Sequence, residues 1–216
     1  MTSSPTSHGT ATPDRAMAYV DGFNLYFGLK SKNFRRYYWL DIERLVSNLL
    51  RPGQQLVGVK YFTADLRSGN DKWRRQQTFL DALQTHTTQL EIIRGHYLIK
   101  QRQCRQCGHT VDVPEEKKTD VNIATHLMTD AFLDRFDTAL VISGDSDLVP
   151  PLEMIRRHQP EKRVVVGFPP GRQSSDLKRV AHGSFWINEQ KLRVSQLPNP
   201  VVKPNGHALH RPSQWK

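Results

Sequence analysis

Cysteine is nearly absent from this chain: Cys104 and Cys107 are the only two in 216 residues. That excludes a secreted fold held together by disulfides. Long apolar runs are missing too. None approaches the roughly 20 residues needed to cross a bilayer, so no membrane association is expected. The first residues, Met1-Thr-Ser-Ser-Pro-Thr-Ser-His8, lack the charged start and apolar core of a secretory signal, and the expected location is the cytoplasm. Acid is in short supply. Asp and Glu number 21 against 31 Lys and Arg, and no acid follows Glu189. The resulting net charge of +10 favours a polyanionic partner, because Lys and Arg displace counterions condensed on phosphates. A solubility device or a basic tail explains the same excess, and charge alone says nothing about catalysis.

What is present reads as one domain with tails. Residues 1–15, rich in Ser, Thr and Pro, are expected to be a disordered lead, and 191–216 a disordered basic tail. Between them, short apolar runs alternate with helical patterns. Ala16–Val20, Leu56–Phe62, Leu90–Ile93, Thr138–Ile142, Arg163–Val166 and Phe185–Ile187 are the expected strands. Asp41–Leu50, Lys72–His86, Asp120–Leu133, Leu148–His158 and Ser174–Ala181 carry apolar residues at helical spacing. Strand following helix following strand implies an α/β fold, with a mostly parallel central sheet and helices on both faces. In such sheets the functional crevice lies outside the carboxyl ends of the strands.

Acids stand at those ends. Asp21 follows the first strand, which a turn at Asp21-Gly22 is expected to end, in Val20-Asp-Gly-Phe-Asn24, and Asp145 and Asp147 follow another, in Ser143-Gly-Asp-Ser-Asp147. Asp120 opens a helix. Taken singly, each has an ordinary structural reading as a turn residue or helix cap. Converging on one crevice, they would repel one another unless a cation sat among them. Hard oxygen ligands of this kind suit Mg²⁺ or Mn²⁺, which polarise a phosphoryl oxygen and lower the pKa of a bound water.

Three motifs give these acids a context. Tyr19-Val-Asp-Gly-Phe-Asn-Leu-Tyr26, Lys117-Lys-Thr-Asp-Val-Asn-Ile123 and Leu140-Val-Ile-Ser-Gly-Asp-Ser-Asp-Leu-Val149 resemble, in order and separation, the motifs of NYN domains. These are PIN-like nucleases that include the LabA-like bacterial proteins. The resemblance spans roughly 16–187 and implies a PIN-like Rossmannoid sheet with Mg²⁺- or Mn²⁺-dependent hydrolysis of RNA. It implies metal and catalytic roles for Asp21, Asp120, Asp145 and Asp147, with Asn24, Ser143 and Ser146 as supporting polar groups. The domain is accordingly bounded at 16–190.

Other segments are candidate substrate contacts. Phe168-Pro-Pro-Gly-Arg172 precedes a helix start, where Arg172 and backbone N–H groups could hold a phosphate; a Pro-stiffened connection with a Ser cap fits equally well. Lys118 lies inside the second motif. Lys30, Lys32, Arg35 and Arg36 precede Tyr37, Tyr38 and Trp39, which suits either stacking of single-stranded bases or buried aromatics under a basic face. Cys104-Arg-Gln-Cys107 lies in a basic insert at about 100–113 with Arg102 and Arg105. It is half of a zinc knuckle, with His109, His96 or a partner chain as further ligands, and a redox pair or two free thiols fit as well.

The expected function is a metal-dependent ribonuclease. One alternative is a non-catalytic RNA- or protein-binding module. Another is an aspartyl-phosphate enzyme with Asp21 as nucleophile, although Phe23 stands where that chemistry usually wants a second acid. Oligomeric state is not legible, and a homodimer stays among the options.

Overall fold

A computed structural model describes residues 12–66, 69–103 and 106–216, with backbone alone at 96–100, 102 and 111–117. β1 (Asp14–Asp21) runs directly into α1 (Gly22–Ser31), followed by α2 (Ile42–Leu49), β2 (Gln54–Ala64) and α3 (Asp71–His86). β3 (Leu90–Gln103) pairs antiparallel with β4 (Thr110–Lys117), and α4 (Thr119–Phe132) leads to β5 (Thr138–Ile142). Then come α5 (Val149–His158), β6 (Arg163–Phe168), α6 (Ser175–Val180), β7 (Gly183–Trp186) and α7 (Glu189–Val194). A small hairpin of β8 (Val201–Val202) and β9 (Ala208–Leu209) ends the described elements.

The main sheet has the order β4-β3-β2-β1-β5-β6-β7, parallel throughout except for β4 at one edge. This is the expected PIN-like Rossmannoid architecture. The chain builds outward from β1 to β3, then returns to lay β5 on the other side of β1. The strand order therefore reverses between β1 and β5, and helices leaving these two strand ends must diverge and open a crevice.

Alternation along β1 separates two cores. Ala18 and Val20 face α1, α2 and α3, where Leu25, Leu45, Leu80 and Trp39 pack. Met17 and Tyr19 face α4, α5 and α6, against Leu127, Phe136, Leu152 and Leu177. Within the second layer lies a buried polar knot. The Asp130 carboxylate of α4 accepts from Lys60 Nζ at 2.5 Å, Tyr19 Oη at 2.8 Å and Arg135 at 2.9 Å. Both side chains of the Lys60–Asp130 pair are nearly sealed from solvent. A buried pair is tolerated only when its remaining lone pairs and protons are satisfied, as here, and this one ties α4 to β1 and β2.

Two expectations need correction. Asp21-Gly22 was expected to be a strand-ending turn, whereas α1 begins there without a loop. The Asp21 carboxylate caps the helix by accepting from the Asn24 N–H at 2.9 Å. Gly22 is required because a Cβ would stand 2.7 Å from the Phe62 carbonyl oxygen and the Tyr61 ring. The segment 191–216, expected to be disordered, is folded onto the first core. Leu192, Leu197, Val201 and Leu209 are buried, Trp39 Nε1 donates to the Pro198 carbonyl, and Trp215 meets Tyr38, Trp39 and Phe79. These apolar residues are scattered among Pro and Asn without a helix or strand period. Each fills its own gap over Trp39 and Phe79, a pattern that periodicity cannot reveal.

Candidate active site

The reversal point between β1 and β5 is where the acids gather. Asp21, the last residue of β1, is 4% exposed, and its second carboxylate oxygen accepts from Ser143 Oγ at 2.9 Å. Ser143, just past β5, is fully buried and in turn accepts from the Asp145 N–H at 3.0 Å. Asn24 Oδ1 accepts from the Gly144 N–H at 2.9 Å. Two hydrogen bonds, from Ser143 to Asp21 and from Gly144 to Asn24, thus tie the end of β1 and the start of α1 to the turn after β5. Asp145 caps the short turn at Ser146–Leu148 by accepting from the Asp147 N–H at 3.0 Å, which leaves Ser146 and Asp147 exposed.

Asp120 enters from α4. Lys118, immediately before that helix, adopts a left-handed φ of 78°, and no side chain caps the helix start. Thr119 is buried, and its hydroxyl has no hydrogen-bond partner among the described residues. Lys118 itself is exposed.

The carboxylates feel one another. Burial pushes the Asp21 carboxyl up to about 6, against the lowering effect of its bonds from Asn24 and Ser143, with Asp120 and Asp145 adding to the rise. Asp120 is also raised, first by desolvation and then by the charges of Asp145 and Asp147. Among the described residues, no three His, Cys, Asp or Glu side chains are close enough to make a ready-formed metal site. Asp21 is instead near enough to Asp120 and Asp145, and Asp120 to Asp145 and Asp147, for their charges to interact. Their all-oxygen donor set and unrelieved repulsion fit a hard divalent cation such as Mg²⁺ or Mn²⁺.

The remaining candidates divide. Arg172 is exposed in the loop after β6, and its guanidinium lies 5.9 Å from the Phe27 ring centroid. That loop presses on the acid-bearing turn, since a Cβ on Gly144 would come within 2.9 Å of the Arg172 carbonyl carbon. Ser174 caps α6 by accepting from the Leu177 N–H, which is the ordinary structural role. Tyr37, Tyr38 and Trp39 are buried and Arg36 pairs with Glu189, so that segment is a basic face over core aromatics. Arg102 lies in β3 opposite Val111, Cys107 and His109 are exposed, and Cys104 and Arg105 fall outside the described residues.

Sequence reasoning missed the Gly144 N–H and the exposed aromatics of α1. Backbone donors leave no side-chain signature. The α1 aromatics were masked by the assumption that a turn followed Asp21.

A parallel Rossmannoid sheet with acids at its reversal point defines the PIN-like class, and within it this chain belongs to the NYN domain family, whose profile matches residues 15–188. Members of this family are generally nucleases. A curated relative is the 6-hydroxy-3-succinoylpyridine 3-monooxygenase HspA of Pseudomonas putida, 29% identical over 94% of this chain and 76% of that protein. The fold is also similar to the crystal structure of a protein of unknown function from Vibrio parahaemolyticus. That similarity has a TM-score of 0.56 and 18% identity, covering 84% of this chain and 97% of the other. No described helix is long and apolar enough to cross a membrane.

Proposed function

We propose that this chain is a Mg²⁺- or Mn²⁺-dependent ribonuclease that hydrolyses phosphodiester bonds in the cleft between β1 and β5. One observation carries the reading: Asp21, Asp120, Asp145 and Asp147 come from two strand ends and a helix start and meet at the reversal point of the sheet. There burial and the charges of the neighbouring acids raise the pKa of Asp21 and of Asp120. When bound, a divalent ion supplies charge neutralisation at the phosphoryl oxygens and acidifies water.

The protein's own groups do the rest. Ser143 and Asn24 fix Asp21 and the Ser143–Asp145 turn relative to one another, so the Asp21 carboxylate is held in place before substrate arrives. Asp120, exposed on α4 and within charge range of Asp145 and Asp147, can accept a proton from an attacking water. The water oxygen forms the new P–O bond, the bond to the leaving ribose oxygen breaks, and that oxygen takes up a proton from solvent water. No protein nucleophile is needed. Arg172, Lys118, Arg102 in β3 and Arg105, which lies outside the described residues, are the proposed phosphate contacts. Zinc at Cys104 and Cys107 stays a separate proposal.

The test is incubation of purified protein with labelled single-stranded RNA, structured RNA and DNA in Mg²⁺, Mn²⁺ or EDTA. Cleavage is expected with either metal, none in EDTA, and none from Asp145→Asn at unchanged circular dichroism. Wild-type cleavage by Asp145→Asn would refute the site. Binding without turnover would favour the non-catalytic module. The name of the P. putida relative supports a second reading, oxidation of a pyridine ring. Oxygenation of a pyridine substrate in place of RNA cleavage would establish it.

A further inference from the structure

Helix α1 starts at the acid cleft and presents an aromatic face to solvent. Phe23, Tyr26, Phe27 and Lys30 fall at helical spacing on one side, and Tyr26 and Phe27 are 41% and 42% exposed. Phe23 and Phe27 stack with ring centroids 6.4 Å apart and planes 28° from parallel. Lys30 Nζ lies 5.8 Å from the Phe27 centroid and Arg172 5.9 Å. No acid occurs from Gly22 to Leu40.

We propose that this face of α1 is a stacking platform for single-stranded nucleic acid, which it delivers to the Asp21 end of the helix. The inference rests on the nuclease reading for what happens at that end. Its own support is independent of the metal.

Large rings left half in water cost hydration free energy that a packed partner would recover, and a base supplies a matching π-face. The flanking cations meet phosphates, while a protein partner would need acids to face Lys30 and Arg172. The platform is rigid. Tyr26 lies 5.1 Å from the Tyr38 ring, which is itself held by Trp215. The Arg172 loop sits directly on the helix because Gly28 has no side chain; a Cβ there would be 2.8 Å from the Pro170 carbonyl oxygen. Along α1, Phe27 is about 9 Å from Asp21, within reach of a short stretch of strand. A duplex keeps its base faces covered, so the platform selects unpaired nucleotides.

The experiment is equilibrium binding of labelled oligouridylate, oligodeoxythymidylate and a duplex of mixed sequence, in EDTA, at several salt concentrations. Tyr26→Ala/Phe27→Ala should bind the single strands roughly 10- to 100-fold more weakly, with duplex affinity and salt slope unchanged. Phe27→Trp should retain binding. Equal oligouridylate and oligodeoxythymidylate losses support stacking on bases irrespective of sugar, and a loss confined to one narrows the platform to that nucleic acid. Unchanged single-strand affinity, or equal losses for strand and duplex, would overturn the proposal. So would wild-type self-association abolished by the double variant without oligonucleotide binding by either protein. A wild type that binds through the platform yet cleaves nothing in Mg²⁺ or Mn²⁺ would sink the nuclease reading and leave the platform standing. Unchanged KM for single-stranded RNA in the double variant would do the reverse.

Discussion

Replacing Asp21 by Asn should make the metal-free protein more stable, although it removes a residue from the centre of the site. The Asp21 carboxyl is raised to about 6 by burial and by Asp120 and Asp145, against about 3.9 in an unfolded chain. A carboxyl raised on folding destabilises the native state above its folded pKa, because folding then buries a charge that prefers water. Through the window from pH 6 down to pH 4 the native state takes the proton first and the penalty disappears. The gap corresponds to about 3 kcal/mol at pH 8.

Asn keeps the cap, since its carbonyl oxygen can still accept from the Asn24 N–H, but its amide faces Ser143 Oγ and loses the charge-assisted bond. The net gain expected at pH 8 is therefore about 1–3 kcal/mol, or roughly 3–8 °C in a chain of this size. Urea denaturation in EDTA at pH 8, 6 and 4.5 measures it. The difference between Asp21→Asn and wild type should shrink as pH falls, and added Mn²⁺ should raise the wild-type midpoint more than the variant's. A variant less stable than wild type at pH 8, or a difference independent of pH, would refute the reasoning.

Asp130→Ala strands Lys60 in the core without its counter-charge and should cost about 3–5 kcal/mol, read as a lower urea midpoint at an unchanged slope; a loss below about 1 kcal/mol would mean the knot is not structural. Gly144→Ala drives a Cβ into the Arg172 backbone and disturbs the N–H that holds Asn24. It should lower stability by about 1–3 kcal/mol and reduce RNA cleavage at least ~10-fold, and wild-type turnover would show that the turn is free to shift.

The parts of this protein legible in its sequence are those where one local signal dominates. Thr138–Ile142 is unbroken and apolar because β5 is covered on both faces, and every residue in it is buried. Asp41 and Ser174 mark helix starts because each accepts from an N–H of the first turn. Asp21 defeats the same logic, since Asp-Gly serves turns and helix caps alike and only the parallel pairing of β1 with β2 and β5 decides. The gathering of Asp21 with Asp120, 99 positions later, left no local trace and was visible only through the three family motifs. Tyr26 and Phe27 were illegible as surface residues, because the turn expected at Asp21-Gly22 hid the helix that carries them.

The contacts of Trp215 also set an order of events during synthesis. Trp39 and Phe79 leave the ribosome early, but the residues that cover them lie at 195–215. At roughly 5–20 residues per second, Trp39 waits about 9–35 s for Trp215. Throughout that interval the α1–α3 face of the nascent domain lacks the cover that Leu197, Val201, Leu209 and Trp215 supply. A fragment cut at residue 188, where the family match stops, would remain in that half-covered state permanently.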